Sequence, residues 1–309
     1  MPEAKYIVIP DGIADQRADA GLSKILGLSR SACADILEKG GASMNGKLLQ
    51  KSDRLVAGAS LEVTIPDSRD PLEIVAVDIP DLKIIYEDDD LVIIDKPAGV
   101  AAHPSVGWQG PTVVGALLQA GIKIATSGAS ERQGIVQRLD VGTSGLMMVA
   151  KSELAYSRLK QAFRDRKVHK VYHAIVQGHP DPTSGTIDAP IDRHPKAEFK
   201  FTVGENGKPS VTHYEMLEAF GSAALLEIVL ETGRTHQIRV HFSAFRHPLI
   251  GDTMYGADPK LAAKLGIEHQ WLHAMRLSFE HPITGMQVSF ESEYPEDLAV
   301  VLETLRNQH

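Results

Sequence analysis

The sequence predicts a chain of strands and helices in two parts, a small αβ module followed by a larger domain. Three observations carry that expectation. The 309 residues are 43% hydrophobic and 23% charged, ample for one large core and a small second one. Pro66-Asp-Ser-Arg-Asp-Pro71 reads as a linker that its prolines keep extended, with Pro80 marking a later break. The first part carries no catalytic constellation, whereas the middle of the chain carries a dense one. The domains are therefore set at 1–70, with the start of the linker, and 71–309.

Composition bounds the chemistry. The net charge of −8 and a pI near 5.9 mean that any nucleic-acid contact must use a local patch. One cysteine, Cys33, excludes an internal disulfide framework and a cysteine-only zinc site. The first ten residues lack a basic region followed by an apolar core, and no apolar run approaches the roughly 20 residues of a membrane span. The expectation is a soluble, cytoplasmic protein with no membrane association and no dedicated protein partner.

In order along the chain, Leu22, Ile25, Leu26 and Leu28 predict a first short helix. Ser29-Arg30-Ser31 offers caps for a second, Ala32 to Lys39, which stops at Gly40-Gly41. Asn45-Gly46 predicts a hairpin turn, and Leu61 to Ile65 an alternating strand. A generic cap and hairpin explain these residues. Their order also resembles an S-four-type RNA-binding domain, in which Ser-Arg-Ser opens the helix facing RNA. That resemblance implies phosphate contacts from basic residues such as Lys24 and Arg30. Residues 1–66 hold eight basic and eight acidic side chains, so this would be a patch and not a basic domain.

Strands are expected at Ile84–Tyr86 and Leu91–Ile94, followed by the turn Lys96-Pro-Ala-Gly99. The stretch from Gly134 to Lys151 organises the rest. A short apolar run leads into Arg138-Leu139-Asp140, a turn with Gly142 and Gly145 follows, and Leu146 to Ala150 is an apolar strand. Asp140 thus lies where a buried strand meets a turn. An aspartate there can simply cap the turn. Ser152 to Lys167 predicts a helix with Tyr156, Leu159, Ala162 and Phe163 on one face. Residues 151–170 hold seven basic side chains, among them Arg164, Lys167 and Lys170, against two acidic ones. A solvated face explains such a run; its place after the Asp140 turn also suits a phosphate track. Lys170 to Val176 reads as a strand with Tyr172, Ala174 and Val176 on one face. Residues 178–211 read as loops and a hairpin, followed by strands at Thr212–Glu218 and Leu225–Glu231. Gly233 to His241 opens a short helix with Thr235 as N-cap, Ile238, Phe242 and Phe245 facing the core, and Arg239 on another face. His236 and His241 are five apart, which does not suit a shared metal.

Arg138-Leu-Asp-Val-Gly-Thr-Ser-Gly-Leu146, Lys170-Val-Tyr-His-Ala174 and Gly233-Arg-Thr-His-Gln-Ile-Arg239 occur in that order. With His247-Pro-Leu-Ile-Gly-Asp252, Leu272-His-Ala274 and His281-Pro-Ile-Thr-Gly285, they resemble the RluA-type RNA pseudouridine synthases from about residue 84 to 292. The family's usual His before the Arg is here Gln137. The resemblance implies an α+β fold, with a mixed, largely antiparallel sheet, flanking helices and a central cleft. It implies a catalytic Asp140, a Tyr172 that stacks on the target base, an Arg239 paired with Asp140, and an Arg138 that enters the vacated space in the RNA. The implied substrate is structured RNA, ribosomal rather than a tRNA anticodon arm, and large-subunit ribosomal RNA first. No Walker loop, dinucleotide fingerprint or metal cluster is visible, so the expected reaction uses no cofactor and no metal. Two rival readings are an inactive RNA-binding or ribosome-assembly protein, which would predict loss of the motif Asp or Arg, and a hydrolase, which would need a second carboxylate or a metal.

Overall fold

The structure is a computed structural model and describes residues 3–65, 72–197 and 199–307. The linker expected at Pro66–Pro71 lies outside the described residues. The chain forms two compact units, Met1–Pro71 and Leu72–His309.

In the first unit, strand β1 (Glu3–Val8) precedes helices α1 (Ala18–Leu26) and α2 (Arg30–Glu38). Strands β2 (Ala42–Met44), β3 (Lys47–Leu48) and β4 (Ser60–Ile65) complete an antiparallel sheet of order β1-β4-β2-β3. Ser29 caps α2 by accepting from the Ala32 amide. Asn45 and Gly46 both take positive φ, the geometry of a tight two-residue hairpin, and the Asn45 side chain accepts from the Ser60 amide. The core closes around Leu22, Cys33, Ile36, Leu37, Leu61 and Val63. Strand β1 has no counterpart in the sequence reading. Its consecutive apolar residues Tyr6, Ile7 and Val8 show no strict alternation, and pairing with β4 makes it a strand.

The second unit begins with β5 (Lys83–Glu87) and β6 (Leu91–Lys96), then α3 (Val113–Gln119), β7 (Ser144–Ala150) and α4 (Glu153–Arg164). Next come β8 (His169–Gln177), β9 (Ser184–Asp188), a separate hairpin of β10 (Ile191–Arg193) and β11 (Phe201–Val203), then β12 (Val211–Ala219) and β13 (Ala223–Leu230). Helices α5 (Gln237–Ala244) and α6 (Pro259–Leu265), strands β14 (Leu272–Glu280) and β15 (Gln287–Glu291), and helix α7 (Glu296–Arg306) finish the chain. The main sheet runs β5-β6-β7-β14-β8-β13-β12-β9, with β15 on β14. Among the described strands only β7 and β14 pair in parallel, so the α+β architecture with a mixed, largely antiparallel sheet stands as expected.

Both faces of the central strands are covered, which explains the unbroken apolar runs in β6 and β7. Tyr172, Ala174 and Val176 of β8 join Ile228, Leu230 and the apolar sides of α3 and α5 on one face. Ile175 joins Trp271, α6 and α7 on the other. The parallel contact needs Gly145. Its φ is 105°, and a Cβ there would lie 2.4 Å from the Ala274 carbonyl oxygen. That close approach sets the start of β7, and therefore the Asp140 turn, against the start of β14.

Candidate active site

Asp140 ends an extended segment between Ile135, bridged to Val149, and the turn into β7. Its backbone carbonyl accepts from the Thr143 amide at 3.0 Å, closing the turn. Thr143 is held in turn by Gln270, whose side-chain amide donates to the Thr143 hydroxyl at 3.1 Å. The carboxylate is 18% exposed and asymmetric in its partners. Oδ2 accepts from Arg239 Nη1 at 3.2 Å and has His236 Nε2 at 3.9 Å. Oδ1 receives no hydrogen bond from the described residues.

Arg239 is tied down from its other side. Its Nε and Nη2 donate to the two oxygens of Asp252 at 2.7 and 2.9 Å, and the guanidinium lies 4.9 Å from the Tyr255 ring centre. Burial opposes its charge, but the hydrogen bonds it donates to Asp252 and the charge of Asp140 outweigh burial and hold the guanidinium above its ordinary pKa. The helix that carries it starts later than the sequence suggested. Its N-cap is His236, in the left-handed conformation at φ 56°, and not Thr235. Thr235 instead accepts a hydrogen bond from Arg138 through its hydroxyl. The left-handed residue turns the His236 ring towards Asp140, where Tyr255 pairs with Nδ1 at 2.8 Å. Burial lowers the pKa of His236. Arg239, expected on a face away from the core, is 6% exposed.

Beneath the turn lies a charge that the sequence placed only at the start of a turn, Lys96-Pro-Ala-Gly99. Lys96 is fully buried, and its ammonium donates to the carbonyls of Pro97, Val100 and Val141 at 2.9, 2.8 and 3.3 Å. Three carbonyls match the three N–H bonds of the protonated form. Burial pushes its pKa down to about 7, against an upward pull from Asp140. Behind β7, Ser144 bonds His273, His273 bonds Ser292, and Ser292 donates to Asp95, a buried polar chain that stiffens the same strand start. Burial and the nearby His173 push His273 down to about 4, so it serves this chain as a neutral ring.

A small cavity of about 70 Å³ lies over Asp140, walled by Tyr172, Leu230, Ile238 and Leu272. It shares Arg138, Tyr172, Leu230, Gly233 and Arg234 with a larger cleft of about 920 Å³. Tyr172 is buried on the core face of β8, and burial followed by the charge of Asp140 raises its pKa, so the hydroxyl stays protonated. The cleft is lined by Arg132, Arg138, Lys160, Arg164, Arg166, Lys170 and Arg234, with Glu231 as the one acidic side chain among its lining residues.

The basic run of residues 151–170 therefore divides. Lys160, Arg164, Arg166 and Lys170 reach the cleft. Lys151 pairs with Glu87, and Arg158 donates to the Pro282 carbonyl. Lys151 precedes α4, whereas positions 160 and 164 share one face of that helix, so the basic run serves two surroundings. Lys167 is exposed but is not among the residues lining the cleft. In the first unit, Lys24 is exposed, whereas Arg30 is bound with Arg17 to Asp19. Asp252, Lys96, His236, Tyr255 and Gln270 were not singled out from sequence as site residues. Asp252 and His236 fell inside the ordered motif blocks; Lys96 sat in a turn that its neighbours explained. No metal-binding cluster of His, Cys, Asp or Glu occurs among the described residues. Nor is any helix among them long and apolar enough to cross a membrane.

Residues 90–244 match the family model described as RNA pseudouridylate synthase. The chain is 58% identical over 300 residues to an uncharacterized RNA pseudouridine synthase of Mycobacterium bovis, covering 97% of each. It is 39% identical over 312 residues to the ribosomal large subunit pseudouridine synthase D of Xanthomonas campestris, covering 98% of this chain and 92% of that one. Among solved structures, human RNA pseudouridylate synthase domain containing 4 is similar with a TM-score of 0.57 at 27% identity, over 72% of this chain and 92% of that one.

Proposed function

This chain belongs to the RluA-type RNA pseudouridine synthases, isomerases that act on RNA; on that premise we propose that it converts specific uridines of large-subunit ribosomal RNA to pseudouridine, with Asp140 as the catalytic carboxylate. The observation that carries the site is the half-satisfied state of Asp140. Oδ2 is held by Arg239, Oδ1 accepts no hydrogen bond from the described residues, and Asp140 lines a small cavity with Tyr172. The ribosomal assignment rests on relatives named as large-subunit pseudouridine synthase D.

The reaction breaks the bond from uracil nitrogen-1 to the sugar, turns the base, and joins carbon-5 to the same sugar carbon. The proton leaves carbon-5, nitrogen-1 gains one, and no water enters the product. Uracil departs as a delocalised anion, so one carboxylate suffices. Asp140 acts at the sugar, as nucleophile on the anomeric carbon or as base on a sugar proton. Arg239 holds the charge and the direction of the carboxylate. The target base leaves its stack at a cost of a few kcal/mol, and stacking on Tyr172 returns roughly 1–3 kcal/mol. Arg138, exposed at the mouth of both cavities, takes the space the base vacates. Arg164 and Lys170 line the basic cleft as its phosphate contacts, with Lys167 beyond it. The first unit, residues 1–70, serves as an S-four-type RNA-binding domain presenting Lys24 and the N-terminal end of α2. The protein works in the cytoplasm.

The test is pseudouridine mapping in large-subunit ribosomal RNA from cells lacking this protein, with purified protein added back to the RNA in vitro. Sites should vanish in the deletion and return on addition of the protein. An unchanged map in both would refute the assignment.

A further inference from the structure

We propose that Lys170 and Gly233 form a built phosphate subsite that grips the RNA backbone directly beside the target nucleotide. The inference rests on the RNA-modifying reading above and names one contact that fixes the register of the strand.

Lys170 is 9% exposed, yet its ammonium has no hydrogen bond and no ion pair among the described residues. Its one charge-related contact there is the Phe163 ring, 5.9 Å away. A buried cation without a counter-charge carries a desolvation cost that an incoming anion removes. Lys96, buried completely, shows the contrast, because three carbonyls satisfy it. Lys170 lines the basic cleft. Gly233 keeps that opening clear. A Cβ placed on Gly233 has the Lys170 Nζ, at 3.9 Å, as its one heavy-atom neighbour within 4 Å, so a longer side chain there would cover the ammonium.

The position also fits. Lys170 and Tyr172 are two residues apart on the same face of β8, about 6.6 Å along a strand. That is the scale of one nucleotide's sugar-phosphate unit. A base on Tyr172 thus brings a neighbouring phosphate to Lys170. Of the neighbouring charges, Arg166 is paired with Glu231 and Arg138 donates to the Thr235 hydroxyl. Arg234 on the facing loop and Arg164 on α4 also face the cleft; Glu231 is shared with His213, and His103 lies at the rim. Burial pushes the pKa of Lys170 down to about 8. A bound phosphate would pull it back up, so the contact should weaken only as pH rises past 8.

The experiment measures the affinity of an in-vitro transcript of large-subunit ribosomal RNA, in the Asp140→Asn background so that the RNA stays unmodified. Binding is followed against salt and pH. Lys170→Met should lose roughly tenfold in affinity, and the slope of log K on log salt should shrink by about 0.7–1, one phosphate contact. Lys170→Arg should keep both and abolish the decline above pH 8. Gly233→Val should reproduce the Lys170→Met loss with the charge still present. Unchanged affinity and slope in Lys170→Met, or a loss of affinity with the slope unaltered, would overturn the subsite. Pseudouridine formation by the wild-type protein on the same transcript is scored separately; its absence would sink the reading beneath, whatever Lys170 does.

Discussion

Two carboxylates share one arginine, and their surroundings differ. On the segment after α5, Asp252 is 2% exposed and takes two hydrogen bonds from Arg239. On the turn before β7, Asp140 takes one among the described residues, through a single oxygen, and lines a cavity. Asp252 is a finished interaction; Asp140 is an unfinished one. A saturated pair fixes a guanidinium in space, and the fixed guanidinium then holds a second carboxylate without enclosing it. The same division separates Lys96 from Lys170. In this molecule, complete satisfaction marks support, and incomplete satisfaction marks the surface offered to substrate.

The comparison is tested hardest at Asp140. Asp140→Asn keeps the shape but removes the charge, the nucleophile and the base. Pseudouridine formation should fall by at least about 10⁴-fold, while thermal stability changes by less than about 1 kcal/mol. Single-turnover assays and melting curves check both halves. A variant that still turns over near the wild-type rate would reverse the assignment.

Next in size is Arg239→Met, which strips the partner from both carboxylates. Asp252 would be left as an unpaired buried charge, costing roughly 3–5 kcal/mol of stability. Turnover should fall by about 10²–10³-fold because the direction of Asp140 is lost. RNA affinity should change less than turnover. Arg234, whose guanidinium donates to the Pro209 carbonyl at the cleft wall, is the control, and Arg234→Met should lose affinity rather than turnover.

Asp252→Asn sharpens the distinction. The amide retains a hydrogen-bond acceptor for Arg239 but surrenders half of the fork. Turnover should fall by about 10–10²-fold and recover substantially with Asp252→Glu, since support tolerates a longer carboxylate where chemistry would not. Equal inactivity in Asp252→Asn and Asp140→Asn would erase the difference between the two.

Much of this was legible in the sequence, for identifiable reasons. Apolar runs and turn residues placed β6, β7, β8 and α4, because burial on both faces and helical spacing leave a pattern. The helices α3, α6 and α7 were missed; they lie between or beyond the motif blocks, and α3 is an apolar run of only seven residues. Ordered motifs implied Asp140, Tyr172 and Arg239, and Arg239 does reach Asp140. What the motifs could not convey was long-range satisfaction. Asp252 lies 13 residues from Arg239 and meets it through a chain reversal. Lys96 finds Val141 across 45 residues. His236 owes its place to one left-handed residue where helical continuation was the natural expectation. The basic run after Lys151 showed charge but not which face each charge occupies.

The smallest expected effect on turnover belongs to Lys96, the charge that supports the turn without touching the cavity. Lys96→Met would leave three carbonyls without a donor, at a net cost of roughly 2–4 kcal/mol, while turnover of the folded protein stays within about tenfold. Its pH dependence makes the argument specific. The folded pKa, about 7, lies below the ordinary lysine value of 10.5. Below pH 7 both folded and unfolded chains hold the proton, so the cost of burying the charge is constant. Between pH 7 and 10.5 the unfolded chain binds more protons, and the stability of the wild-type protein rises with pH. The Met variant lacks that rise, so the gap between the two should widen by a few kcal/mol across the window. Both tryptophans, Trp108 and Trp271, lie in the larger unit, so tryptophan fluorescence in urea follows that unit in the intact chain. Subtracting the variant's curve removes the parallel contribution of Lys170, whose pKa burial also lowers. A gap that stays constant from pH 6 to 10 would mean that Lys96 keeps its proton throughout, with the three carbonyls outweighing burial. A loss of turnover matching Asp140→Asn at unchanged stability would move Lys96 from the support to the chemistry.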